Sequence, residues 1–161
     1  MNLFSFIGWS GSGKTTIITL LIKELISRDF SITSIKHVPG KFYLEPESKD
    51  SFKYLANGAE EAFILSSKEL INTMLIDENF NIFDKYKKKF DQYDMVFAEG
   101  LSYGNYPVFE VFDSTKNDRL KGDPKKITAI IGDKNIIEGI RFFERDDIVG
   151  IADFIEKLTK K

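Results

Sequence analysis

Residues Gly8-Trp9-Ser10-Gly11-Ser12-Gly13-Lys14-Thr15 form a complete G-x-x-x-x-G-K-[ST] phosphate-binding loop. No other stretch of the chain limits its possible folds so strongly. The motif requires a strand before it and a helix after it. Leu3 to Ile7 is an apolar run, and Thr16 to Arg28 has a helical pattern. Glycines in such a loop let successive backbone N–H groups turn inward as an anion-binding nest. The helix that starts there adds the positive end of its dipole. Lys14 is expected to reach the β- and γ-phosphates of a nucleoside triphosphate, with the Thr15 hydroxyl on Mg²⁺. Gly8, Ser10, Gly11, Ser12, Gly13 and Thr16 complete the predicted nucleotide contacts.

The rest of the chain reads as the sheet this loop needs. After the helix over Lys14–Arg28, with Ile17, Leu20, Leu21 and Leu25 facing inward, strict alternation over Ser31–Lys36 predicts a second strand. Pro39, Gly40 and Pro46 predict a loop from Val38 to Ser48, with a mobile end at Glu45–Lys49. Asp50 caps a helix to about Asn57, closed by Gly58. Glu61–Leu65 is a third strand. Ser67–Phe80 is open between a helix starting at Lys68–Ile71 and a short strand at Thr73–Ile76. Asn81–Gln92 is helical. Strands follow over Tyr93–Ala98, Val108–Phe112 and Ile127–Ile131, and a final amphipathic helix spans Asp146–Lys160. Strands alternating with helices predict an α/β fold of the P-loop NTPase type, mainly parallel, with helices on both faces. With 161 residues and no internal boundary, one domain over 1–161 is expected.

Composition narrows the function classes. The formal charge of -2 gives no global field for nucleic acid. The basic run Lys85-Tyr86-Lys87-Lys88-Lys89 reads as a solvated helix face. There are no cysteines, which removes thiolate catalysis, disulfides and Cys-ligated metal sites. Apolar stretches are too short to span a bilayer. The opening Met1-Asn2-Leu3-Phe4 lacks the basic region of a signal peptide. A cytoplasmic protein without membrane or nucleic-acid partners is expected.

Phosphate-loop enzymes need a carboxylate opposite the loop for the Mg²⁺ shell. Glu99 ends the apolar strand Tyr93–Ala98, at the sheet edge where ligands bind in open α/β folds. Glu99 and Thr15 are therefore the candidate metal ligands, and Glu99, Asp50 and Lys14 the candidate catalytic residues. His37 is the only histidine and closes the second strand after Lys36. A site role and a structural hydrogen bond are both open for it. Asp50 is either a helix cap or a group reaching the metal or the attacking group. Thr115-Lys116-Asn117-Asp118 is similar to the [NT]-K-x-D guanine reader of GTPases, with Asp118 accepting from the base. The polar stretch around it also fits a solvated turn.

Together these motifs resemble a known family, the molybdopterin-guanine dinucleotide biosynthesis protein B family. The likeness rests on Gly8–Thr15, Lys36-His37, Lys49-Asp50-Ser51, Asn57-Gly58-Ala59 and Glu99-Gly100. It continues through the strands at Pro107–Val111 and Ile127–Gly132 to Phe143-Glu144-Arg145-Asp146-Asp147. It implies a homodimer that binds GTP and Mg²⁺, hydrolyses GTP weakly, and assists the molybdenum cofactor guanylyltransferase, with molybdopterin as a further ligand. Two departures stand out. Val38-Pro39-Gly40 replaces the histidines that often follow Lys-His in the family, and Ser48 replaces a glycine before Lys-Asp-Ser. Trp9 also stands where many dimeric phosphate-loop ATPases carry a lysine, which excludes a mechanism built on that lysine.

Two other functions compete. A small-molecule kinase would use Asp50 or Glu99 as base, yet Arg119, Arg141 and Arg145 are scattered and form no lid-like cluster. An adaptor for another metallocofactor would bind nucleotide without processing it. With no glutamine placed to orient water and no arginine finger in the sequence, slow hydrolysis is expected.

Overall fold

A computed structural model describes residues 1–40 and 50–159. The loop expected over Val38–Ser48 therefore lies mostly outside the described residues, as do Pro46, Ser48, the Glu45–Lys49 end and Lys160.

The described chain forms two compact units, Met1–His37 with Tyr86–Lys161, and Val38–Lys85. The first unit holds a six-stranded parallel sheet. Its strands are β1 (Leu3–Ile7), β2 (Ile32–Lys36), β5 (Met95–Glu99), β6 (Val108–Phe112), β7 (Ala129–Gly132) and β8 (Arg141–Glu144). Their order is β2-β5-β1-β6-β7-β8. Parallel strands must be covered on both faces, so they read as apolar runs. Met95, Val96, Phe97 and Ala98 have no exposed surface.

Helices α1 (Lys14–Ile26) and α4 (Ile148–Leu158) share one core with Phe4, Phe6, Phe97, Phe109, Val111 and Ile131. The phenylalanine rings pack in several geometries, Phe4 edge to face on Phe97 with centroids 6.1 Å apart at 85°, and Phe6 stacked on Phe109 at 5.3 Å and 21°. Such pairs add specific geometry to the apolar burial. A second cluster joins Phe112, Ile127 and Ile130 to Leu120, Ile136, Ile137, Ile140 and Phe142. Strand alternation puts Phe112 on the opposite side of β6 from Phe109 and Val111.

One inward assignment on α1 is corrected. Ile17, Ile18, Leu21 and Leu25 are buried, whereas Leu20 is 42% exposed. At about 100° per residue, the buried four lie within a stripe of roughly 100°, and Leu20 falls about 60° outside it. Arg28, just past α1, clamps this helix to α4 by ion pairs with Glu24, Asp153 and Glu156, each at 2.7 Å. These three carboxylates raise its already high pKa further.

The second unit contains α2 (Asp50–Ala56) and strands β3 (Ala62–Leu65) and β4 (Leu70–Thr73). The two strands pair antiparallel as a separate sheet. The open segment after Ser67 thus resolves as a strand at Leu70–Thr73, and neither the helix at Lys68 nor the strand at Thr73–Ile76 forms. The reason is the turn. Ser66 Oγ accepts the Lys68 and Glu69 N–H groups at 3.2 and 2.9 Å, and Ser66 N–H donates to the Glu69 carbonyl. A serine hydroxyl that engages the backbone in this way favours a turn over a helix. The remaining helix, α3, spans Ile82–Phe90. Among the described residues, no helix is long and apolar enough to cross a membrane.

Candidate functional site

β1 delivers the loop and α1 carries it away. Gly8 has φ +145, and a Cβ there would stand 2.3 Å from the Val111 carbonyl oxygen. Only glycine fits beside the neighbouring strand β6. Gly13 caps α1 in the left-handed region at φ 92, which side chains resist. A Cβ there would also meet the Arg145 guanidinium at 3.2 Å. The turn is closed by a bond from Ser12 N–H to the Trp9 carbonyl. Ser12 is 1% exposed, and its hydroxyl has no hydrogen-bond partner within the protein.

The Lys14 ammonium donates to the carbonyls of Gly8 at 3.0 Å and Trp9 at 2.7 Å. Burial lowers its pKa, while Glu99 pulls the other way. The Thr15 hydroxyl donates to Glu99 Oε2 at 3.0 Å. The Lys36 ammonium lies 3.5 Å from Glu99 Oε1. The sheet order accounts for this meeting: β5 sits between β1 and β2, with Phe6 and Lys36 both in register with Glu99. Ser10, Gly13, Lys14, Thr15, Lys36 and Glu99 border an open depression of about 380 Å³, which Gly11 and Thr16 also line. Most of the predicted loop contacts thus gather with Glu99 at one sheet edge.

His37 continues the β2–β5 ladder, its N–H donating to the Glu99 carbonyl at 2.9 Å. Its ring Nδ1 lies 3.3 Å from the Gly100 carbonyl. A carbonyl only accepts, so Nδ1 carries the proton in that contact. The imidazole meets Tyr103 edge-on, with centroids 6.4 Å apart. Asp118 is exposed in the segment after β6. Its neighbour Lys116 reaches the loop, the ammonium donating to the Gly11 carbonyl at 2.7 Å. Asp50 belongs to the second unit, where it starts α2 and pairs with Lys53 at 3.1 Å.

Two residues at the loop escaped the sequence reading. Arg145, after β8, donates to the carbonyls of Ser12 and Phe112, both at 2.8 Å. It lies 3.6 Å from Asp113. It anchors the loop's backbone from more than a hundred residues away. Glu110 is a fully buried acid in β6. Its two oxygens accept the Lys121 and Gly122 N–H groups at 2.9 and 3.0 Å. Burial raises its pKa against those two bonds. The signal was present: one acid inside the otherwise apolar Val-Phe-Glu-Val-Phe.

A parallel sheet whose first strand runs into this loop, with a strand-end acid hydrogen-bonded to the loop threonine, defines a P-loop NTPase-like α/β protein. The particular family follows from comparison with known proteins. Residues 3–133 match the family "Molybdopterin guanine dinucleotide synthesis protein B", and the chain belongs to it. It is 28% identical to a molybdopterin-guanine dinucleotide biosynthesis adapter protein of Haemophilus influenzae, covering 96% of this chain and 87% of that one. The adapter protein of the same description from Escherichia coli is 23% identical, over 99% of this chain and 94% of its own. The crystal structure of Bacillus subtilis MobB superposes with a TM-score of 0.72 at 22% identity, over 99% of each chain.

Proposed function

We propose that the protein is a GTP-binding adapter of molybdopterin guanine dinucleotide biosynthesis. It acts as one nucleotide-binding domain over 1–161 and assists the cytoplasmic guanylyltransferase that completes the molybdenum cofactor. Family membership and the names of its relatives support the pathway. The observation that carries the nucleotide reading is the Thr15–Glu99 hydrogen bond of 3.0 Å at the head of α1.

That pair suits Mg²⁺, which is usually held by one or two protein oxygens together with substrate phosphates. Among the described residues, no cluster of three or more His, Cys, Asp or Glu forms a cage for a metal. Thr15 and Glu99 would hold the ion. It would supply neutralisation of charge on the phosphates. Lys14 binds the β- and γ-phosphates, the loop N–H groups orient them, and Asp118 reads guanine beside Lys116.

Hydrolysis is slow on this reading. The two arginines nearest the loop are engaged, Arg145 on backbone carbonyls and Arg119 against Trp9. Arg145, held on two carbonyls, is not available as a finger. Homodimer formation is supported by the apolar side of the hairpin, where Phe63, Leu65 and Leu70 are 62%, 79% and 64% exposed. Sedimentation velocity tests it.

Calorimetry with GTP and ATP, each with Mg²⁺, tests the nucleotide reading. The parent should prefer GTP. Lys14→Ala should lose roughly tenfold to a hundredfold in affinity, the scale for removing a charged hydrogen-bond donor. Glu99→Gln should retain most binding but slow phosphate release. Unchanged affinity in Lys14→Ala removes the loop from the site. A parent preferring ATP, or an Asp118→Ala variant with unaltered preference, removes the guanine assignment.

A further inference from the structure

Trp9 is the only tryptophan, and it occupies the second position of the phosphate loop. Its indole N–H donates to the Arg119 carbonyl at 3.0 Å, 110 residues away. The Arg119 guanidinium sits 5.9 Å from the indole centroid, within the range of cation–π attraction. The segment from Lys116 to Gly122 is thus tied to the loop side by side chains at three points. Lys116 donates to the Gly11 carbonyl at 2.7 Å, Arg119 sits on Trp9, and Glu110 holds the Lys121 and Gly122 amides. Two of these ties run to the phosphate loop itself. The far end is tightly fitted, since a Cβ on Gly122 would lie 2.5 Å from Ile7 Cδ1. No side chain of this set is needed to make the anion nest, which is backbone.

We propose that Trp9 is a positioning residue that latches the Lys116–Gly122 segment onto the phosphate loop, so that the site holds the nucleoside end of its ligand as well as the polyphosphate. This rests on the nucleotide reading above. A polar segment between two strands loses affinity for any ligand it contacts if it must first be immobilised. Trp9 supplies that immobilisation beforehand, through one hydrogen bond and one ring face. The phosphates bind to N–H groups, Lys14 and Thr15, whose positions do not need the indole. The Trp9 carbonyl that accepts from Lys14 is backbone and survives substitution.

The test compares GTP, ATP and inorganic tripolyphosphate, each with Mg²⁺, by calorimetry on the full chain, its Trp9→Ala and Trp9→Phe variants, and Arg119→Met. The parent should bind GTP more tightly than tripolyphosphate. Trp9→Ala should weaken GTP about tenfold, the combined scale of one hydrogen bond and one cation–π contact, and tripolyphosphate less than about twofold on the same scale. Trp9→Phe keeps a ring beneath Arg119 but loses the N–H, and should fall between. Arg119→Met keeps the carbonyl and removes the guanidinium, and carries the test if Trp9→Ala melts below the assay temperature. A parallel loss of GTP and tripolyphosphate affinity overturns the latch and makes Trp9 part of the phosphate cradle. No loss in either overturns it as well, as does a parent that binds GTP no better than tripolyphosphate. A parent with equal affinity for GTP and ATP defeats only the guanine assignment, because the ratio of nucleotide to tripolyphosphate affinity still reads the latch. A parent that binds no polyphosphate defeats both readings.

Discussion

The parallel sheet of the first unit and the hairpin of the second are built from similar apolar residues and put them to opposite use. In β5, four consecutive residues are fully buried. In β3 and β4, Phe63, Leu65 and Leu70 are mostly exposed, while Ala62 is 6% exposed. The register pairs Leu65 with Leu70 and Phe63 with Asn72, so one side of the hairpin is largely apolar. Hydrophobicity alone therefore does not say whether a strand is core. Neighbours on both faces do, and among the described residues the hairpin leaves one side exposed. The hairpin draws on polar contacts instead. Glu61 accepts from Asn72 at 2.8 Å and pairs with Lys85 at 2.7 Å. Both contacts lower the Glu61 pKa.

The contrast can be broken most forcefully at Phe97. This side chain is fully buried between the rings of Phe4 and Phe6. Phe97→Ala should cost about 3–5 kcal/mol by the cavity it leaves, read from the denaturant midpoint at constant slope. A cost below about 1 kcal/mol, well under that expectation, would mean the central sheet is no better packed than the hairpin.

Glu110 sharpens the comparison from inside the sheet. Glu110→Gln keeps the shape but sets an amide N–H₂ against one of two backbone donors, for about 1–3 kcal/mol. That gap should depend on pH. The folded-state pKa of Glu110 is raised by burial. Its stabilising contribution is therefore full below the ordinary glutamate value of about 4.3 and declines as pH rises through the folded value. Glutamine does not titrate. The difference in stability between parent and variant should shrink from pH 4 upward, measured by paired denaturation curves. A gap that is constant or widens would show that the two N–H bonds outweigh burial.

The smallest effect belongs to the hairpin. At protein concentrations too low for dimer formation, Phe63→Ser should change stability by less than about 0.5 kcal/mol, as exposed positions do. A larger loss that grows with protein concentration would show that a second chain covers this side.

What could be read from the sequence follows from how local each feature is. The loop, its strand and its helix are contiguous, so Gly8 to Thr15 carried its own context. Glu99 was legible because an acid that ends the apolar run Met95–Ala98 is conspicuous. Thr15 and Glu99 were expected at one metal from the motif's chemistry, whereas their direct hydrogen bond becomes visible only with β5 lying beside β1. Arg145 was hidden for the same reason, an arginine among charges whose role exists only once β8 joins the sheet. β8 itself was missed because Arg141 and Glu144 flank only two apolar residues on an edge strand. Leu20 was misplaced because a three-residue spacing from Ile17 fits a helical stripe from either side. The hairpin was ambiguous because Ser66 decides between turn and helix through bonds to its own backbone.

Arg145 also has a consequence for how the molecule is made. Strand β1 and the phosphate loop leave the ribosome before strand β8 and Arg145 do. Yet the carbonyls of Ser12 and Phe112 share a donor that is synthesised more than a hundred residues later. The loop is begun well before the residue that holds its backbone is made. A nascent or truncated chain ending at 133, where the family match stops, contains every residue of the motif but lacks the guanidinium that holds its backbone. Such a fragment would carry the signature of a nucleotide site without its geometry.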